Sequence, residues 1–197
     1  MHFPGQSAFD DNDFWHSSKG LPHYDRGGIY QCITYRLADS LPQSLLQDCS
    51  TMADQSKRRQ LIEKYLDNGY GKCVLRDSQV ASVVLNAWKF FHGERYEIVA
   101  YVIMPNHCHI LIAVFDDSEL AKIVHSWKTF TSKEIHKLYP QQDRHVWQYD
   151  YWDRFIRDEK HFSQCVDYIH ENPVKAGLCQ RTIDWEFSSA RFFEGSQ

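Results

Sequence analysis

Residues 101–115 read YVIMPNHCHILIAVF, which places His107 and His109 one residue apart in an apolar run with Cys108 between them. Imidazole is a common ligand of divalent cations. Two of them about 7 Å apart along one strand can reach the same ion if further ligands come from another element. Side chains alternate across a strand, so the two histidines share a face and Cys108 turns to the other. A pair of hydrogen-bonded histidines near a sheet edge gives the same pattern, and the pair alone does not separate the two readings. Further on, CVDYIHENPVKAGL carries Tyr168 and Asn172 four residues apart, on one face if the segment is helical. Asn172 offers a carbonyl oxygen, a hard ligand suited to magnesium or manganese, and Tyr168 offers a hydroxyl one turn away, a nucleophile beside a metal. The plainer alternative is that Tyr168 packs its ring in the core and Asn172 ends the helix before Pro173. His170 and Glu171 are second choices as ligands, because on a helix they turn about 100° and more away from Asn172.

The elements that would position these groups follow from hydropathy patterning. GGIYQCITYRL alternates as a strand does, with Ile29, Gln31, Ile33, Tyr35 and Leu37 on one side. Helical spacing follows over 53–66 and again over 77–92, where Val80, Val83, Val84, Ala87, Trp88 and Phe91 form an apolar stripe. RYEIVAYVIMP and HCHILIAVF are strand-like runs on either side of Pro105-Asn106 and should pair antiparallel. A long helix is expected over 118–138 and a short strand in HVWQYDYW. A last helix runs from a cap at Asp158 to about Glu171, closed by Asn172-Pro173, with an irregular wrap after it. This order predicts an α+β fold, a ferredoxin-like sandwich with a central, mostly antiparallel sheet and helices packed on it. One domain is expected over 23–190, its C-terminal wrap included, with a flexible N-terminal tail over 1–22 and a short C-terminal tail over 191–197.

The 197 residues and a 43% apolar content suit one packed domain. The first residues lack the basic start and apolar middle of a secretion signal, and no apolar run reaches membrane-spanning length, so a cytoplasmic protein with no membrane partner is expected. The six cysteines form no C-x-x-C pair and read as buried thiols. A net charge of −4 lacks the cationic surplus of a protein that coats DNA, so any nucleic-acid contact must rest on local clusters. Lys57, Arg58 and Arg59 are contiguous, and Lys122, Lys128, Lys133 and Lys137 recur through one helix; a solvated helix face looks the same.

Taken together, MPNHCHILI, LPHYDRGGIYQCITYRLADSLP, WQYDYWDRFIRDEKHF and VDYIHENPVKAGL resemble, in order, segments of the REP-associated tyrosine transposases. These belong to the single-strand transposases with an HUH motif, histidine-hydrophobic-histidine, as do IS200-like transposases. The likeness covers roughly residues 20 to 188 and is more specific than any one of its motifs. It implies a metal-dependent enzyme that cleaves and rejoins single-stranded DNA at hairpins through a 5′-phosphotyrosine. His107 and His109 then correspond to the metal-binding histidines, Tyr168 to the nucleophile and Asn172 to a polar third ligand of Mg2+ or Mn2+. The family prefers an aliphatic residue where Cys108 stands; a small apolar side chain facing away from the metal should serve equally. Single-stranded DNA hairpins are the implied partner, with the protein a monomer or homodimer, and Arg154, Arg157, Lys175, Lys128 and Lys133 are candidate DNA contacts. Arg154 and Arg157 flank Asp153 and Asp158, so structural ion pairs are their alternative. Two rival functions stay open: a metal phosphodiesterase that uses activated water, and a non-catalytic DNA-hairpin-binding protein.

Overall fold

The alternation that begins at Ile29 becomes the central strand of a four-stranded antiparallel sheet in the computed structural model, which describes residues 15–16, 23–52, 54–141 and 145–193. In chain order the elements are β1 (Trp15–His16), β2 (His23–Tyr24), β3 (Tyr30–Arg36), α1 (Gln43–Thr51), α2 (Gln55–Asp67), α3 (Ser78–Phe90), β4 (Tyr96–Ile103), β5 (His107–Val114), α4 (Leu120–Leu138), β6 (Trp152–Phe155) and α5 (Glu159–Lys175). The sheet order is β4-β5-β3-β6, and every pair in it is antiparallel. With α3 and α4 as its two crossings, this is the βαββαβ arrangement of a ferredoxin-like α+β sandwich, as the sequence predicts. Apart from β1, which pairs with β2, the expected N-terminal tail lies outside the described residues, as do residues 194–197 of the C-terminal one.

Both faces of the sheet are covered, which explains why β5 is buried at every position. On one face Ile33, Tyr35, Leu37, Cys108, Ile110 and Ile112 pack against the apolar stripes of α3 and α4. The polar edges of the aromatic residues there are satisfied. The Trp127 indole donates to the Tyr96 hydroxyl at 2.8 Å, which donates on to the Trp88 carbonyl at 2.6 Å, while the Trp88 indole donates to the Tyr35 hydroxyl at 2.9 Å. On the other face Cys32, Ala100, Val102, Met104 and Leu111 meet Cys165, Val166 and Ile169 of α5. A smaller cluster of Leu41, Leu45, Cys49, Ile62 and Leu66 joins α1 to α2 and packs on Trp152.

Three expectations needed correction. The strand in HVWQYDYW falls later, at β6; only Trp147 bridges, to Leu37. Between the two, residues 148–151 hold two more positions than β3 offers opposite, and the Lys128 amine takes the Gln148 and Tyr149 carbonyls, at 2.7 and 2.6 Å. Helix α5 does not stop at Asn172-Pro173 but runs to Lys175 with Pro173 inside it. So near the end the missing N–H removes one hydrogen bond only, and Gly177, at φ 68°, closes the helix in the left-handed conformation. Helix α1 was not expected at all. The glycine pair ahead of β3 has a steric reason, because a Cβ on Gly27 would sit 2.4 Å from the Phe115 carbonyl oxygen.

Candidate active site

The register of the sheet sets the surroundings of the histidine pair. Thr34 lies opposite His109 and Arg36 opposite His107, so all four side chains share the face beneath α5. Cys108 is fully buried on the other face with Tyr35 and Ile110, as strand alternation requires. The two imidazoles stand edge to face, with ring centroids 4.8 Å apart. Each has a partner at Nδ1. The Asn106 amide donates to the Tyr70 carbonyl, so its Oδ1 is left as an acceptor, and His107 Nδ1 lies 2.8 Å from it. His107 therefore carries its proton on Nδ1 and a lone pair on Nε2. His109 Nδ1 lies 2.7 Å from the Thr34 hydroxyl, and with Thr34 accepting it takes the same tautomer. Its Nε2 is buried with no hydrogen-bond partner among the described residues. A buried N–H there would be an orphaned donor; a lone pair is what a cation needs. Burial pushes the pKa of His107 down to about 3 and, with the charges of His107 and Arg59 added, holds His109 well below the ordinary range. Both rings are thus neutral, the form that ligates metals.

Helix α5 starts where Asp158 accepts a hydrogen bond from the His161 backbone N–H, and its buried stripe of Cys165, Val166, Ile169 and Asn172 faces the sheet. That seating sets the Tyr168 ring 5.2 Å from the His109 ring, edge to face. Asn172, buried one turn on, donates to the Tyr168 carbonyl at 3.0 Å and also reaches the tyrosine side chain. Tyr168 therefore stands beside His109 with Asn172 bonded one turn along the same helix face, and among the described residues no hydrogen bond joins Asn172 to either histidine. The tyrosine hydroxyl is held well above its ordinary pKa by burial and then by the Glu63 carboxylate; Asn172 and Arg59 pull the other way. His170 and Glu171 are engaged elsewhere, His170 with Ser189 at 2.8 Å and Glu171 with Lys175 at 2.7 Å. Among the described residues no third His, Cys, Asp or Glu completes a metal site with the pair. A pair of neutral imidazoles, one with an orphaned nitrogen, together with the amide oxygen that Asn172 carries on the Tyr168 face of α5, nonetheless suits a hard divalent cation that keeps open positions.

Tyr168 opens on a cavity of about 310 Å³ lined also by Cys32, Arg59, Glu63, Arg154, His161 and Gln164. Of the candidate DNA contacts, Arg154 is in this wall, and the Lys175 amine lies 5.7 Å from the centre of the Tyr168 ring. Arg157 follows β6 on the exposed surface, where its backbone N–H donates to His161. Lys128 and Lys133 stand on α4, across the sheet. Burial pushes the Lys128 pKa down to about 8, and its amine is held by two backbone carbonyls in a larger cleft of about 830 Å³ that contains neither the histidine pair nor the tyrosine. Sequence patterns did not single out Thr34, Asn106 or Glu63, and marked Arg59 only as part of the contiguous basic run Lys57-Arg58-Arg59. Asn106 directly precedes His107, and Arg59 and Glu63 are four apart in a helical run; Thr34 carries no signal until the register is known.

A family model described as "Transposase IS200 like" matches residues 72–172, just over half of the chain. Over 103 residues the chain is 33% identical to a candidate REP-associated tyrosine transposase of Haemophilus influenzae, an alignment covering 48% of this chain and 58% of that protein. Over 96 residues it is 31% identical to a REP-associated tyrosine transposase of Escherichia coli K12, covering 48% and 54%. The chain thus spans little more than half the length of these relatives. A solved REP-associated tyrosine transposase bound to a REP hairpin superposes with a TM-score of 0.59 at 19% identity, covering 91% of this chain and 87% of that one, a likeness of fold. The family match includes His107, His109, Tyr168 and Asn172, and on its extent this chain belongs to the IS200-like transposases.

Proposed function

We propose that this protein is a tyrosine transposase that cleaves and rejoins single-stranded DNA at REP-like hairpins, with Tyr168 as nucleophile. The observation that carries the reading is the seating of Tyr168 against His109, 5.2 Å between ring centres, with His107 next in line and both imidazoles buried and neutral. The names of the two relatives and the hairpin in the solved structure support the choice of substrate.

The two imidazoles and the Asn172 amide oxygen would hold Mg2+ or Mn2+, and such a cation supplies charge withdrawal from the scissile phosphate. Asn106 fixes the His107 tautomer, and Thr34, when it accepts from His109 Nδ1, leaves the Nε2 lone pair of that ring available. The Tyr168 oxygen attacks phosphorus and the P–O3′ bond breaks. The leaving 3′-oxygen ends as a hydroxyl, the proton count balanced by the one the phenol gives up. The 5′-phosphotyrosine keeps the energy of the phosphodiester, so another 3′-hydroxyl can reverse the step and join a new strand. Within one chain Tyr168 already stands beside His109. Arg154, Lys175 and Arg157 lie at or near the cavity, where a strand entering it would pass; Lys128 and Lys133 contribute only to a DNA path that crosses α4.

Incubation with a hairpin-forming single-stranded oligonucleotide and manganese, followed by denaturing electrophoresis, tests the reading. Wild type should yield a denaturant-resistant protein–DNA species and Tyr168→Phe none. Cleavage retained by Tyr168→Phe without an adduct would identify the water-using phosphodiesterase instead. Binding without cleavage in either protein would identify a non-catalytic hairpin binder.

A further inference from the structure

Building on the reading that a phosphodiester enters the Tyr168 cavity, we propose that Arg59 and Arg154 form a two-guanidinium phosphate clamp there. Arg59 is supplied by α2, a helix outside the residues matched by the family model. Arg154 lies on β6 opposite Cys32, whose side chain lines the same cavity, and among the described residues its guanidinium forms no hydrogen bond or ion pair. Arg59 reaches the wall from the other side, about a quarter exposed. Its Nε donates to Glu63 at 2.8 Å, which leaves its amino groups for a second acceptor. Two guanidiniums face one carboxylate in this wall, so the cavity carries an excess positive charge next to the tyrosine hydroxyl. Paired guanidiniums present a planar fork that matches phosphate oxygens. Helix stability accounts poorly for the placement, because a part-exposed i,i+4 pair contributes little wherever it lies on a helix.

In the clamp Arg59 shares its charge between Glu63 and the incoming phosphate, so Glu63 tempers the affinity of the site. A purely structural ion pair and a phosphate ligand then predict opposite behaviour for the two partners. The test is fluorescence anisotropy with a labelled oligodeoxythymidylate across a salt series, metal-free, in the Tyr168→Phe background so that no cleavage intrudes. Arg59→Gln and Arg154→Gln should each weaken binding roughly ten-fold and reduce the steepness of the salt dependence by about 0.7 in log–log slope. Glu63→Gln, which breaks the same ion pair as Arg59→Gln, should tighten binding. If Arg59→Gln and Glu63→Gln both weaken binding alike, or if Arg59→Gln changes neither affinity nor slope in protein that melts as the parent does, the clamp is wrong. A wild-type protein that forms no covalent adduct would remove the nucleophile reading and leave this binding result standing.

Discussion

His109 is held at one ring nitrogen and bare at the other among the described residues: Thr34 lies 2.7 Å from Nδ1, while Nε2 is buried without a partner there. The hydroxyl orients the ring and, when it accepts from Nδ1, leaves the lone pair on Nε2, so its removal should be felt in cation affinity as well as in the fold. Thr34→Val keeps the volume and the β-branch. It should weaken manganese binding about 10- to 100-fold in calorimetric titration and, by leaving the buried Nδ1–H without its acceptor, lower the unfolding free energy by about 1–3 kcal/mol. Equal manganese affinity in variant and wild type would deny Thr34 its positioning role. At this scale the sequence was partly legible. Strand alternation alone placed the histidines together and sent Cys108 to the opposite face, as found. Helical spacing alone put Tyr168 and Asn172 on one side. Thr34 and Asn106 could not be read as supports: one is set by a cross-strand register, and the other depends on a carbonyl at Tyr70, far off in sequence.

Among the elements, the attachment of β2 to the β6 segment responds to pH. His23, its side chain 8% exposed, lies between two carboxylates, with Nε2 2.9 Å from Asp150 and Nδ1 2.5 Å from Asp153, and its ring stacks on Tyr151. Burial by itself would lower the pKa; the hydrogen bonds and charges of Asp150 and Asp153 outweigh it and raise the pKa to about 9. A folded-state value above the ordinary 6.5 means that this contribution is full below about pH 6.5 and is lost as the pH rises through about 9. The shift corresponds to ~3 kcal/mol at most. Urea unfolding should therefore show the midpoint falling between about pH 7 and pH 10, and His23→Gln should flatten that fall while lowering stability near neutrality. A wild-type profile as flat as the variant's would show that His23 is not charged in the fold. The long, strongly patterned elements, α3, α4, β4 and β5, were legible because each carries an apolar stripe of the right period. The misses lie where tertiary contacts override local pattern. Lys128 takes carbonyls that a strand at 148–149 would use, and α5 passes Pro173 because its last turn tolerates the lost bond. Helix α1 is short, and the face it buries meets α2 and Trp152 rather than the main core.

Across the whole molecule, the sheet separates stability from chemistry. The α3/α4 face holds the larger apolar cluster and the indole and phenol hydrogen bonds, while the α5 face holds the histidine pair, Tyr168 and the cationic cavity. The chain's net charge of −4 does not describe the Tyr168 cavity, where Arg59 and Arg154 outnumber the one carboxylate, Glu63. This division predicts that large truncations on the α3/α4 face act on the folded fraction and not on the site. Trp127 is 1% exposed, stacks edge-on with Tyr96 and Trp88, and donates its indole N–H. Trp127→Ala should lower the unfolding free energy by about 3–5 kcal/mol, measured by urea titration. Where circular dichroism shows the variant folded, manganese affinity and adduct yield per folded molecule should stay within about two-fold of wild type, since well-separated sites act nearly independently. A folded Trp127→Ala that loses manganese binding would mean that β5 transmits packing from one face to the other, and that the histidine pair depends on the core behind it as much as on Thr34 and Asn106 beside it.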